Sequence, residues 1–268
     1  MLNTNTHLNI IFSAVILSFS VSACSKKTSS EDSSVMSEPK VVTPDFTQYT
    51  DTQEKKHAFF EFFYPLVKKG NMEVKAERSQ LLKIAHSGTP TNDTIAFVKK
   101  LCNNYKVECT GTEIKHCAAV LAEKIGMIPP SLALAQAANE SAWGTSRFAR
   151  EGNNYFGQWC FSKGCGMVPK SRNNGAAHEV RTFDSPMASV RAYIRNLNRL
   201  DAFSDFRSIR SQNRLSNSLQ HMHLDAVGLE QYSERGPDYV AEISNMIRIN
   251  KLARYNSQLM QELHEYAH

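Results

Sequence analysis

The first 47 residues of the chain carry no helical or strand periodicity of a folded domain. A largely apolar run at residues 10–21 is shorter than the roughly 20 residues that span a bilayer, which predicts a secretory signal rather than a membrane span. The stretch that follows, residues 25–40, is polar and rich in Ser, which is typical of a flexible tether. We therefore expect a signal peptide at residues 1–23 and a tether at 24–47.

Helical periodicity begins after residue 48. Apolar residues cluster at helical spacing in three segments, 59–66, 81–84 and 95–101. Either Thr91 or Asn92 can cap the third segment. The pattern predicts a helical N-terminal extension over 48–113, in which the Phe side chains are core residues.

The second half of the chain changes its periodicity twice. A helix is predicted at residues 114–125, and a second, rich in small apolar residues, from Ser131 to about Trp143. Between residues 153 and 183 the helical pattern disappears and glycines separate short pieces, which predicts a small β-lobe. Helices are expected to restart at Ser185, followed by Pro186, and at Pro237. The expected fold class is α+β, mainly α.

Composition limits the function classes. The chain has 268 residues, 41% of them apolar, which is enough for a substantial core. A net charge of +5 without a concentrated Lys/Arg cluster argues against a nucleic-acid partner. No pattern in the sequence requires a cofactor.

Residues 21–24, Val-Ser-Ala-Cys, close the apolar run. They resemble the lipobox of bacterial lipoproteins, which implies a lipid on Cys24, although residues 1–9 contain no Lys or Arg. Ser25 after the Cys implies sorting to the outer membrane by the same resemblance. The expected location is periplasmic, with the membrane contacted through the lipid anchor.

Five further cysteines remain. Cys160 and Cys165 are the pair expected to form a disulfide, because they close a short Gly-containing loop in an oxidising compartment. A free buried thiol explains each of Cys102 and Cys117 nearly as well as a disulfide does. The full connectivity stays open.

Glu140 is the most unusual acidic residue for its predicted position. It falls in the last turn of its helix, where the macrodipole disfavours negative charge. Trp143, three residues later, is expected on the same face, and both features should raise the pKa of Glu140. A glycosidase acid needs such a raised pKa, because it must hold a proton at neutral pH.

The residues around Glu140 form a long motif. Residues 136–159, QAANESAWGTSRFAREGNNYFGQW, resemble the signature of the cell-wall glucosaminidases of glycoside hydrolase family 73. Residues 158–166, QWCFSKGCG, followed by residues 178–185, HEVRTFDS, look closest to their Bax-like branch. The resemblance implies a lysozyme-like domain at 114–268 that cleaves the β-1,4 bond after N-acetylglucosamine in peptidoglycan. It makes Glu140 the catalytic acid and peptidoglycan strands the partner. Protein partners are not predicted.

The same resemblance suggests further site residues. The family has a functional Tyr before its last helix, usually followed by a second Tyr with five residues between them. Residues 232–239, YSERGPDY, resemble this arrangement with one extra residue. We carry the functional role to Tyr232; the alternative is that the rings of Tyr232 and Tyr239 are both core. The predicted substrate-binding residues are Trp143, Asn154, Tyr155, Phe156, Gln158, Trp159 and Arg181.

A second carboxylate is harder to assign. Residues 164–178 contain no Asp or Glu, so Glu179 and Asp184 are the nearest candidates. Glu179 is taken as the candidate base, with a structural Glu179 paired to Arg181 as the alternative. The water could instead be activated through the N-acetyl group of the substrate.

Two rival functions are open, and a third, a zinc metalloprotease, is discounted. Residues 264–268 spell H-E-x-x-H, a zinc-binding pattern that we discount because it occupies the last five positions, so we predict no metal site. A non-catalytic peptidoglycan-binding lipoprotein could keep the fold without a second carboxylate. A lytic transglycosylase would form anhydro sugars instead of hydrolysed ends.

Overall fold

A computed structural model describes residues 42–86, 89–109, 111, 113–170, 177–215 and 219–265. The first predicted segments, including the apolar run at 10–21 and Cys24, lie outside these residues. In the described part of the chain the α-helices are α1 (Thr52–His86), α2 (Asn92–Tyr105), α3 (Ile114–Lys124), α4 (Pro130–Glu140), α5 (Arg147–Gly152), α6 (Pro186–Arg199), α7 (Ser204–Leu215), α8 (Pro237–Ile249) and α9 (Ala253–Glu265). Two 3₁₀ segments, Asp201–Phe203 and Leu219–Tyr232, flank α7.

The β-lobe is a three-stranded antiparallel sheet. Its strands are β1 (Trp159–Cys160), β2 (Gly166–Met167) and β3 (Glu179–Arg181), in the order β1-β3-β2. Trp159 pairs with Val180, and Gly166 pairs with Arg181. The sheet and the predominance of helices confirm the predicted α+β, mainly α fold class.

The first helix is longer than the sequence pattern indicates. Residues 59–66 and 81–84, predicted as separate segments, belong to the single 35-residue helix α1, which continues through Pro65. An internal proline removes one helical hydrogen bond, and burial of the apolar face offsets that loss. Phe59, Phe63 and Val67 are fully buried.

Helix α1 belongs to the same core as the second half of the chain. It packs on α3, α4 and α6. The buried Asn71 side chain donates to the carbonyl of Ile128 and accepts from its N–H, both at 2.8 Å. Gly70 lets α6 approach closely, since a Cβ there would stand 2.6 Å from the Cδ1 of Ile194. The predicted N-terminal extension therefore packs against the second half of the chain and helps to hold α4 in place.

Phe46 falls at the end of the predicted tether, yet it is only 1% exposed. Its ring occupies the space where a Cβ on Gly144 would lie and packs against Phe59, with 5.2 Å between ring centroids. The tether prediction is therefore corrected here, because an aromatic ring gains more from this buried position than from solvent.

Helix boundaries agree with prediction where local capping decides them. Ser185 caps α6, its hydroxyl accepting from the N–H of Ala188 at 3.2 Å, and Pro186 is the first helical residue. Helix α8 begins at Pro237 as expected but ends at Ile249, and α9 follows it. Helix α4 ends at Glu140, three residues earlier than predicted.

Candidate active site

Helix α4 places Glu140 at its last position. Every residue of α4 before Asn139 is buried, so the helix is fixed on all sides. Its start is held by Asn256 of α9, whose Oδ1 accepts from the N–H of Ser131 at 2.9 Å. Glu140 itself is partly buried, which leaves its carboxylate at the boundary between the core and solvent.

The chain turns sharply after Glu140. Ala142, Trp143 and Gly144 all have positive φ, at 49°, 57° and 77°. Such φ values are strained for residues with a Cβ and cluster at functional sites. Ser141 holds the turn, because its hydroxyl donates to Ala137 at 2.6 Å and accepts from the N–H of Gly144 at 2.8 Å.

This turn carries Trp143 off the helical path that the sequence predicts. Trp143 packs on α1 instead, 5.7 Å from the ring of Phe59 and 5.4 Å from that of Phe60, with the Lys56 ammonium over its face. The predicted pairing of Trp143 with Glu140 on one helical face is therefore wrong, since the helix ends before the third residue is reached. Its indole ring serves the α1 packing.

A chain of hydrogen bonds ends on the Glu140 carboxylate. The hydroxyl of Tyr193 donates to Oε1 of Gln136 at 2.6 Å, and Nε2 of Gln136 donates to the hydroxyl of Tyr239 at 2.8 Å. The Tyr239 hydroxyl in turn donates to Oε1 of Glu140 at 2.8 Å. Because Gln136 occupies an acceptor position of Tyr239, the Tyr239 proton is directed at Glu140.

Burial is the main influence on Glu140. It raises the pKa of the carboxyl above its ordinary value, and the hydrogen bonds from Tyr239 and Asn139 oppose that rise. The negative charge of Glu242 raises this pKa as well, while the Arg235 charge lowers it. The net direction is upward, as the sequence predicted, although the cause is desolvation and not Trp143.

Tyr232 contributes to the site through Tyr239. Its ring stacks on that of Tyr239, with 5.5 Å between the centroids and an interplanar angle of 4°. Its hydroxyl donates to the carbonyl of Phe156 at 2.9 Å. The direct contact with Glu140 thus belongs to Tyr239, for which the sequence favoured a core role, and not to Tyr232.

Two residues of this hydrogen-bond network, Gln136 and Tyr193, were not among the predicted site residues, and for Tyr239 the contact with Glu140 was not predicted. One signal for Gln136 was present, because it precedes Glu140 by four residues and therefore shares its helical face. The two tyrosines come from α6 and α8, and no local pattern links them to Glu140.

The turn after α5 approaches Glu140 from the other side. Gly157 is exposed with φ 62°, and a Cβ there would stand 3.2 Å from Oε2 of Glu140. A side chain at this position would crowd the carboxylate in addition to being strained. The absence of a side chain at Gly157 therefore leaves space beside Oε2 of Glu140.

Asn154 builds this turn rather than a sugar contact. It is buried, and its Oδ1 accepts from the N–H groups of Phe156 at 3.3 Å and Gln158 at 3.1 Å. Its Nδ2 donates to the carbonyls of Gln158 and Arg181, both at 2.8 Å. One amide side chain thus joins the turn to β3.

Three other predicted substrate-binding residues are also internal. Tyr155 and Phe156 are 2% and 1% exposed, and the ring of Phe156 stacks on Tyr193 at 4.0 Å between centroids. Gln158 is buried, and its Nε2 donates to the carbonyl of Ser189 at 3.0 Å. The prediction that Tyr155 and Phe156 offer aromatic surface is corrected, because the helical core takes up both rings.

Trp159 and Arg181 are the predicted contacts that remain accessible. Trp159 is 53% exposed, and its ring lies parallel to that of His178 at 4.0 Å between centroids. Arg181 is exposed, with its guanidinium over the ring of Phe183. Both belong to the β-lobe, next to the Gly157 turn.

Glu179 is buried, with both carboxylate oxygens engaged. They accept from the N–H of Gly164 at 3.0 Å and of Gly166 at 2.9 Å. Those glycines flank Cys165, which is bonded to Cys160. This geometry favours the structural alternative for Glu179, with backbone amides as partners in place of the expected Arg181.

The structure describes all five cysteines after Cys24. Cys160 and Cys165 form one disulfide, and Cys102 and Cys109 form another. Cys102 is therefore not a free thiol, while Cys117 is free and buried. Of the H-E-x-x-H residues, His264 and Glu265 end α9, and the other three lie outside the described residues. No described helix is long and apolar enough to cross a membrane.

Comparison with known proteins places this site in a family context. Residues 115–252 match the Glucosaminidase family, described as mannosyl-glycoprotein endo-β-N-acetylglucosaminidase. The chain is also similar to Protein bax of Escherichia coli (strain K12), with 33% identity over 196 residues, 73% of this chain and 70% of that protein. No solved structure matches. The family region includes both Glu140 and Tyr239.

Proposed function

Because this chain belongs to the Glucosaminidase family, we propose that it hydrolyses the β-1,4 bond after N-acetylglucosamine in peptidoglycan, with Glu140 as the general acid. The observation that carries the proposal is the environment of Glu140. Its carboxyl has a raised pKa, is oriented by Tyr239 and lies beside the exposed Gly157. Each property is what proton delivery to a bound sugar requires.

The proton comes from the carboxyl of Glu140. A raised pKa keeps this group protonated closer to neutral pH, so it can protonate the leaving glycosidic oxygen as the bond breaks. Tyr239 holds Oε1 by its hydrogen bond, which leaves Oε2, the oxygen next to Gly157, as the atom that faces the substrate. After bond cleavage the carboxylate accepts the stabilising hydrogen bond from Tyr239.

The second half of the reaction depends on how water is activated. Glu179 already accepts two backbone hydrogen bonds, which disfavours it as a base. We therefore favour assistance by the N-acetyl group of the substrate, which stabilises the positive charge that develops at the sugar carbon. In this route the departing sugar keeps the donated proton as a hydroxyl, and the Glu140 carboxylate then accepts a proton from the attacking water, which restores the acid.

Trp159 is the sugar platform that the structure supports. Half of its surface is free, and His178 holds the ring by stacking from one side. Aromatic faces bury the apolar faces of sugar rings. The platform lies two residues after Gly157, so a strand bound at Glu140 can extend across it.

The proposed location is the periplasm, with a lipid anchor on Cys24. The support is the apolar run at 10–21 and the lipobox-like ending at Cys24. Replacing Cys24 with Ser should move the protein from the membrane fraction to the soluble periplasmic fraction. An unchanged distribution would reject the anchor.

Glu140→Gln is the direct test of the assignment. The variant keeps the shape of the side chain but has no proton to deliver, so clearing of peptidoglycan in an activity gel should disappear. A variant that still clears would reject Glu140 as the acid. Wild-type protein that binds peptidoglycan without clearing it would favour the non-catalytic rival, and release of sugar from a mannosyl-glycoprotein instead would correct the substrate.

A further inference from the structure

A cavity with four arginines lies between β3 and α6. It measures about 310 Å³, and we call it the arginine groove. Three of the arginines follow one another at four-residue spacing on α6, so they lie along one face of that helix. The charged residues that line the groove are Arg181, Asp184, Arg191, Arg195 and Arg199.

The arginines are only partly neutralised by the protein. Arg191 forms a two-pronged ion pair with Glu73 of α1, at 2.8 and 2.6 Å. Among the described residues, no carboxylate lies within ion-pair distance of Arg181, Arg195 or Arg199. These three charges, opposed in the lining by Asp184, make the groove attractive to anions.

Arg199 adds a second observation. Its Nε is buried and has no hydrogen-bond partner within the described part of the chain. A row of arginines on an ordinary solvated helix face does not bury an unpaired donor, since such a donor costs free energy. Arg199 therefore keeps one buried donor that no acceptor of the described residues satisfies.

The geometry points to the ligand chemistry. A guanidinium presents paired N–H donors that match the two oxygens of a carboxylate. We propose that the arginine groove binds the carboxylates of the peptides that peptidoglycan strands carry. The inference rests on the proposed function, because it takes the glycan strand to be the substrate at Glu140.

The groove is close enough to Glu140 for one substrate to reach both. The N–H of Arg181 donates to the carbonyl of Gln158 at 2.9 Å, and Gln158 follows Gly157. Consecutive Cα atoms are about 3.8 Å apart, and antiparallel neighbours about 5 Å. The Cα atoms of Arg181 and Gly157 are therefore within about 9 Å, so a peptide on a sugar near Glu140 can enter the groove.

Phosphate groups of anionic lipids share the charge of a carboxylate. The observations favour the peptide, because the groove is concave and adjoins the glycan site through β3. A membrane surface is flat, and binding to it would not require a groove placed beside Glu140. Binding to anionic vesicles is therefore an outcome to be tested against.

Binding can be separated from cleavage with the Glu140→Gln chain. Its affinity is measured for labelled glycan strands that carry peptides, and for the same strands after the peptide carboxylates have been amidated. We expect about three- to fivefold tighter binding to the unmodified strands, with the difference shrinking as salt rises. Adding Arg195→Gln, at an exposed position, should remove most of this preference.

Arg248→Gln is the matched control, because Arg248 is an exposed arginine of α8 outside the groove. It should keep the preference for unmodified strands. Equal affinity for both strands in the parent chain, or a preference that Arg195→Gln leaves intact, would overturn the proposal. So would an Arg195→Gln effect confined to phosphatidylglycerol vesicles.

The two hypotheses fail in different ways. If the wild-type chain releases no product from peptidoglycan, the proposed function is wrong whatever the groove binds. If product is released but strand affinity ignores the carboxylates, only the groove inference is wrong. A melting curve of each variant identifies any loss of folding.

Discussion

Glu140 receives its raised pKa from burial, while the Tyr239 hydroxyl works in the opposite direction by stabilising the ionised form. These two opposing effects suit the role of general acid that we propose for Glu140. The acid must keep its proton until the substrate is bound, and the carboxylate must then be stabilised once the proton has left. The hydrogen-bond chain from Tyr193 through Gln136 fixes the direction of that stabilisation.

Replacing Tyr239 with Phe should move the alkaline limb of the pH-rate profile to higher pH. The variant loses a hydrogen bond that lowers the pKa of Glu140, so the carboxyl keeps its proton further into the alkaline range. The maximal rate should fall, because the carboxylate is no longer positioned. The measurement is kcat/KM against pH on soluble glycan fragments.

Tyr232→Phe is the matched control for this experiment. Its hydroxyl donates to the Phe156 carbonyl and not to Glu140, so the alkaline limb should stay in place. The same profile for Tyr239→Phe and wild type would mean that the Tyr239 hydroxyl does not influence the acid.

Glu179→Gln distinguishes a structural carboxylate from a base. If Glu179 only holds the Gly164 and Gly166 amides, the variant loses one acceptor and should be destabilised by about 1–3 kcal/mol. Its rate, measured well below its melting temperature, should stay within about tenfold of wild type. Loss of a general base would cost about 100- to 10,000-fold, and such a loss would reinstate Glu179 as catalytic.

Glu151→Gln provides the control, because it changes an exposed carboxylate of α5 in the same way. It should leave both the melting temperature and the rate near wild type.

The β-lobe shows how a very small element is kept rigid. Its strands are two or three residues long, which is too short for stability by pairing alone. The Cys160–Cys165 disulfide and the buried Glu179 carboxylate fix the loop between β1 and β2. Trp159 is thereby held beside the Gly157 turn.

Replacing both Cys160 and Cys165 with Ser should lower the free energy of unfolding by about 2 kcal/mol, the value expected for a loop of this length. Urea denaturation measures the change. Activity should fall more on short glycan fragments than on long strands, because short fragments depend most on Trp159. A double variant as stable as wild type would show that Glu179 alone fixes the loop.

The elements that sequence predicted well are those decided by neighbours along the chain. The start of α6 was predicted from Ser185 and Pro186. The position of Glu140 in the last turn of its helix was predicted from the apolar pattern that precedes it. Contacts between distant segments were out of reach: Tyr239 meets Glu140 across 99 residues of sequence. Periodicity also could not separate Tyr155 and Phe156 in the core from Trp159 at the surface, because all three lie in or directly after the irregular turn between α5 and β1.

At the scale of the whole molecule, the family region is supported by residues that precede it. The family match begins at residue 115, yet Asn71 fixes the Ile128 backbone before α4. The ring of Phe63 lies 4.6 Å from that of Tyr155. The described residues form one compact unit, so α1 is part of the scaffold that holds Glu140.

A chain shortened to residues 114–268 should therefore fail to fold cooperatively. Removing α1 exposes the surfaces of α3, α4 and α6 that it covers and leaves the Ile128 backbone without the Asn71 bonds. Thermal unfolding followed by circular dichroism should show no sharp transition. A chain that starts at residue 42 is the control and should melt cooperatively; a cooperative, active 114–268 chain would contradict this view of α1.

The central claim is that Glu140 donates a proton in a hydrolytic cleavage. Mass spectrometry of the fragments released from purified peptidoglycan by wild type and by Glu140→Gln tests it most directly. The account predicts fragments with N-acetylglucosamine at the reducing end from wild type and none from the variant. Fragments ending in anhydromuramic acid, or equal product from Glu140→Gln, would contradict it.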